Sequence, residues 1–72
     1  MAQIIKFEID EADIKGTDTI SSLTHKAITQ KYKNFIHYLD YYFRDTYIID
    51  GNKYRIGKEA TFKNLYIEKV ES

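Results

Sequence analysis

The sequence predicts a single α+β domain spanning residues 1–72: a small antiparallel-rich sheet of three to four strands, in chain order β-α-β-β-β, with one long helix, continuous or kinked, packed on one face. Three observations predict it. Gln3 to Asp10 alternates apolar and polar residues. Thr17 to Asp50 contains no Gly and no Pro and repeats apolar residues at helical spacing. Tyr47 to Ile56 is built around an Asp-Gly pair, which is a hairpin signature.

In the first segment Ile5, Phe7 and Ile9 fall on one face, with Lys6, Glu8 and Asp10 on the other. Period two with β-branched and aromatic residues reads as a half-buried strand. Asp10-Glu11-Ala12-Asp13 breaks that pattern and reads as a solvated acidic loop. It lacks the alternating ligands and the glycine of a calcium loop. Gly16, Thr17 and Asp18 lead into a helix that Asp18 or Thr19 can cap, because either side chain accepts a bond from a free backbone N–H.

The predicted helix runs from about Ile20 to about Arg44, roughly 36 Å at about 1.5 Å per residue. Ile28, Tyr32, Phe35, Ile36, Leu39, Tyr42 and Phe43 share one stripe. Ser22, Lys26, Gln30, Lys33, His37, Asp40 and Arg44 form the solvated side, where Asp40 pairs with Arg44 and His37 can touch Asp40. Ile20, Leu23, Ala27, Tyr38 and Tyr41 form a second apolar band, rotated by roughly 100°. Either the helix breaks near Thr29 to Lys31 and both halves face one core, or it is continuous and carries two apolar faces. No Gly or Pro marks a break there.

Asp50-Gly51 suits a type I′ turn, whose two central residues both take positive φ. That turn pairs Ile49 with Asn52 and Tyr47 with Tyr54, putting Tyr47, Ile49, Tyr54 and Ile56 on one core face. Gly57-Lys58-Glu59 is a second turn. Thr61 to Glu71 fits a strand better than a helix, since a short hairpin needs a third strand.

Composition bounds the function. Seventy-two residues make one small domain, and no cysteine is present for disulfides or thiolate metal sites. Eleven basic residues balance eleven acidic ones, so no net charge draws the chain to nucleic acid or an anionic membrane. The apolar runs are too short to span a bilayer. The start of the chain lacks the long apolar stretch of a secretory signal, so the expected compartment is cytoplasmic. His25 and His37 are the only histidines. No metal-ligand spacing, nucleophile elbow or phosphate-cradling glycine loop occurs. The expectation is a non-enzyme with no cofactor and no metal.

Two functional readings remain. The first is a protein-protein interaction module using Ile20, Leu23, Ala27, Tyr38 and Tyr41. It forms a homodimer, or it binds and modulates a larger protein, as a small phage or bacterial accessory or inhibitor protein does. The second is a small nucleic-acid-binding domain using Lys6, Lys53, Arg55 and Tyr66 on the open sheet face, with basic residues for phosphates and an aromatic ring for bases.

Overall fold

The structure, a computed structural model, describes residues 3–70. Glu71, at the end of the window expected for the last strand, and Ser72 lie outside the described residues, as do Met1 and Ala2. The fold is α+β as expected, and among the described residues it has one α-helix and a five-stranded antiparallel sheet, where three to four strands were expected. The strands are β1 (Ile4–Phe7), β2 (Ile36–Leu39), β3 (Asp45–Ile49), β4 (Asn52–Ile56) and β5 (Leu65–Lys69). The helix α1 (Ile20–Lys31) lies between β1 and β2 in sequence. Strand order across the sheet is β1-β5-β4-β3-β2. β2 to β5 therefore form a meander, and β1 returns to pair with β5 at the far edge.

The helix packs on one face of the sheet. Its first turn meets β3, where the Ser21 hydroxyl donates to Asp45, and its last turn meets β1, where the Lys31 ammonium lies 5.7 Å from the Phe7 ring centroid.

The expected long helix is corrected. It ends at Lys31, and residues Ile36–Leu39 are a strand rather than a second helical half. No Gly or Pro stops it. The chain leaves through Tyr32 in extended conformation, φ −123° and ψ 133°. Ahead lie Phe35, Ile36, Tyr38, Tyr41, Tyr42 and Phe43, aromatic and β-branched residues that favour a pleated surface over a helix. Asp40 then supplies a turn. Its carboxylate accepts the Tyr42 N–H at 2.8 Å, an Asx turn that competes with helix.

At its start, the helix is closed as its sequence implies. Thr19 Oγ1 accepts the Ser22 N–H at 3.1 Å, and Ser22 Oγ accepts the Thr19 N–H at 2.8 Å, a reciprocal capping box. Asp18 accepts the Lys15 N–H at 2.9 Å and pairs with Lys26 at 3.0 Å. With the helix ending at Lys31, Leu23, Thr24, Ala27 and Ile28 form one inward stripe, all buried. They pack on a sheet face where Tyr47, Ile49, Tyr54 and Ile67 are buried, with Ile5, Phe7, Tyr32 and Phe35 closing the margins.

The Asp50-Gly51 hairpin forms as read: φ is 51° at Asp50 and 81° at Gly51, and Ile49 faces Asn52 while Tyr47 faces Tyr54. Leu65–Lys69 is a strand, paired with both β4 and β1. The acidic segment forms one exposed 3-10 turn, Glu11–Asp13, capped by Asp10. No helix among the described residues is long and apolar enough to cross a membrane.

Candidate interaction surface on the β2–β3 hairpin

The hairpin joining β2 to β3 turns at Asp40-Tyr41-Tyr42-Phe43. The Phe43 N–H donates to Asp40 O at 2.9 Å, and the Asp40 N–H donates to Arg44 O at 3.0 Å. Phe43 sits at φ 60°, the left-handed region that a three-residue hairpin loop needs at its last position and that glycine normally fills. A bulky side chain there is uncommon and strained, by roughly 1–2 kcal/mol. Tyr41, Tyr42 and Phe43 are 88%, 71% and 82% exposed. Three successive aromatics thus stand in water at the tip of a hairpin.

Asp40 holds this tip in shape. Its carboxylate accepts the N–H groups of Tyr42 and Arg44 at 2.8 and 2.9 Å. It also pairs with Arg44 Nε at 3.0 Å and with Arg55 Nη2 of β4 at 3.1 Å. The backbone N–H of Arg44, then that of Tyr42 and the Arg44 guanidinium, hold this carboxyl below the usual carboxylate value. Asp40 and Arg44 do pair as their spacing implies, across a turn instead of along a helix. The Arg44 guanidinium lies 5.1 Å from the Tyr42 ring centroid, a cation–π contact that steadies the ring.

The root of the hairpin is anchored to the helix by a polar cluster. His37 Nε2 meets Asp45 Oδ1 at 2.7 Å, so its carboxylate partner is Asp45 and not Asp40. The Ser21 hydroxyl donates to the other Asp45 oxygen. The His37 ring stacks on Tyr47 with centroids 4.5 Å apart and planes 17° from parallel. His25 on the helix lies 5.2 Å from the His37 ring and 3.3 Å from the Tyr47 hydroxyl. Burial, and secondarily the Asp45 charge, push the Tyr47 phenol up to about 12. Ser21 bonds to the carboxylate rather than to an imidazole, so the cluster lacks the serine–base contact of a nucleophilic site. It ties helix to hairpin. Among the described residues no three His, Cys, Asp or Glu side chains converge as a metal site.

Of the five residues expected to bind a partner, the structure separates three from two. Leu23 and Ala27 are core residues and Ile20 is half-buried on the same helical stripe. They form a second face only on a helix that continues past Lys31, where this one ends. Tyr38 and Tyr41 are exposed on the hairpin, beside Ile36, Leu39, Tyr42 and Phe43. These four were read into the helix core stripe. The pattern that identifies them as surface is the Asp40 turn, with β-forming residues on both sides.

Lys6, Lys53, Arg55 and Tyr66 share the sheet face away from the helix. Arg55 is already paired with Asp40, and its Nε is buried without a partner. Tyr66 is only 9% exposed. Its ring lies across Gly57, where a Cβ would come within 2.1 Å of it, and its hydroxyl accepts the Glu59 N–H at 3.1 Å. Two of the four residues are thus engaged within the fold, while Lys6 and Lys53 have no carboxylate partner among the described residues.

No protein family, curated protein or solved structure matches this chain.

Proposed function

We propose that this protein is a non-enzymatic protein-protein interaction module, self-associating or binding and modulating a larger protein, with residues 36–43 as its contact surface. One observation carries the reading. Among the described residues eight large apolar side chains stand exposed, and six of them lie in this single run: Ile36, Tyr38, Leu39, Tyr41, Tyr42 and Phe43. Apolar exposure concentrated in one hairpin of a small domain marks an interaction site, and Tyr is favoured there because it joins a large apolar area to a polar tip. The Asp40 network adds pre-organisation, so little side-chain and loop entropy is lost on binding. A left-handed Phe43 supports the same reading, because strain kept at an exposed position points to use of that position.

The test is a tip variant, Tyr41→Ser/Tyr42→Ser. It is expected to keep the far-UV circular dichroism and melting temperature of the parent while losing association, read both by sedimentation of the pure protein and by co-purification with host proteins. Association undiminished in both assays overturns the reading. Binding to random oligonucleotides at low salt, abolished by Lys6→Ala/Lys53→Ala, would favour the sheet-face alternative instead.

A further inference from the structure

We infer that the partner of this surface is a second copy of the chain: the free edge of β2 pairs antiparallel with its own counterpart about a two-fold axis at His37, and each hairpin tip rests against the other copy. This rests on the interaction reading above and names its partner.

Among the described residues β2 is the last strand of the sheet, and one side of it has no neighbour. Proteins protect such an edge with Lys, Pro or a bulge. Ile36-His37-Tyr38-Leu39 carries no Lys or Pro, and it pairs with β3 without interruption from Ile36 to Leu39. The Asp40 N–H bonds to Arg44 of the same hairpin. Antiparallel bonding alternates, so Tyr38 and Ile36 bond inward to β3, and the N–H and C=O groups of His37 and Leu39 point outward.

A two-fold axis normal to the sheet brings residues of like facing opposite each other. Centred on His37, it sets Ile36 opposite Tyr38 on the open face and Leu39 opposite Phe35 on the helix face. Apolar residues then meet apolar residues on either side of the central His37 pair, whose rings stay bonded to Asp45 of their own copies. Centred on Tyr38 instead, it would set Ile36 opposite Asp40, whose carboxylate is committed to Arg44 and Arg55.

In the His37-centred pairing the turn that follows Leu39 in one copy comes beside the bend at Lys33 and Asn34 in the other. A hollow of about 460 Å³ lies there, bordered by Lys33, Asn34, Phe35, Ile36 and Ile48. One end of β2 therefore carries an aromatic knob and the other end a recess. A two-fold axis brings each knob to the other copy's recess, as a self-complementary interface requires. With aromatic side chains offering about 150–250 Å² each, the six exposed residues supply on the order of the ~800 Å² per partner that a stable interface buries.

The chain has no cysteine, so single-cysteine variants read the pairing directly. Residues 36 and 38 of opposite copies would form a close, non-hydrogen-bonded pair with Cα atoms about 4.5 Å apart, within disulfide reach. Like positions would lie more than about 7 Å apart, beyond it. The full-length wild-type chain is expected to sediment as a dimer that dissociates on dilution. Ile36→Cys and Tyr38→Cys proteins mixed in a thiol–disulfide buffer are expected to give at least about tenfold more linked dimer than either alone, read by intact mass. A chain that stays monomeric throughout, or a mixture no better linked than the single variants, overturns the pairing. A monomer that still loses a co-purifying protein on Tyr41→Ser/Tyr42→Ser overturns the self-pairing alone. A monomer for which that change alters nothing overturns the wider reading as well.

Discussion

Asp40, at the root of the hairpin tip, reaches past β3 to Arg55 on the central strand β4, with 3.1 Å between Oδ2 and Nη2. Through this contact the most exposed part of the chain is referenced to the middle of the sheet. The same carboxylate fixes the Tyr42 and Arg44 N–H groups, so the tip is set by one side chain. Asp40→Ala is expected to weaken association about tenfold or more. It removes no apolar contact, so the loss measures pre-organisation. Sedimentation equilibrium on the variant checks this, and full retention of association would count against a pre-formed tip.

Phe43 separates stability from binding. Phe43→Gly relieves a left-handed backbone at φ 60° and, after the extra unfolded-state entropy of glycine, is expected to stabilise the fold by up to about 1 kcal/mol. The same change removes an 82% exposed aromatic and is expected to weaken association. Urea unfolding together with sedimentation reads both. A destabilised variant would mean that the Phe43 ring contributes to folding.

Leu23 now belongs to the core, at 1% exposure, and not to a partner face. Leu23→Ala is expected to cost about 2–4 kcal/mol, the usual range for a buried leucine. In a domain of this size that is a large part of the total stability. Thermal unfolding monitored by circular dichroism checks it. A change near zero would place Leu23 at a surface.

Gly57 leaves no room for a side chain because the Tyr66 ring covers it. Gly57→Ala is expected to destabilise by about 1–3 kcal/mol through overpacking. In a Tyr66→Leu background the same change should cost clearly less, since the clash is with the ring. A double-mutant cycle measures this coupling. Additive effects would mean that Gly57 is needed for its backbone alone.

The fold should be bounded at both pH extremes. Asp18 and Asp40 are held below the ordinary value of 3.8, first by the Lys15 N–H and the Arg44 N–H respectively. Their contribution is complete above that value and is lost as pH falls through the lowered ones. Tyr47 is raised from 10.0 to about 12 by burial and then by Asp45. Its contribution is complete below about 10 and is lost as pH rises through about 12, at no more than about 1.4 kcal/mol per pH unit. Urea midpoints across pH, with the assigned NMR signal of the Tyr47 phenol carbon, are expected to show Tyr47 ionising with unfolding. A Tyr47 phenol that ionises near 10 in the folded chain would contradict its burial.

Short-range chemistry was enough for the elements that depend on it. Alternation at Ile5 and Phe7, the cap at Thr19, the positive-φ pair Asp50-Gly51 and the register that follows from it could all be read along the chain, because each depends on residues a few positions apart. The α+β class follows from them. The run from Tyr32 to Phe43 was different. Its apolar residues satisfy helical spacing and strand spacing alike, so periodicity could not choose between them. The choice was made by long-range contacts: Ile36 to Leu39 pairs with β3, and Asp40 gains Arg55 as a partner 15 positions away. Tertiary packing thereby moved Leu23 and Ala27 into the core and left Tyr41, Tyr42 and Phe43 outside. Which aromatic side chains face water is settled by the strand pairing and the Asp40–Arg55 contact, and that information is not local.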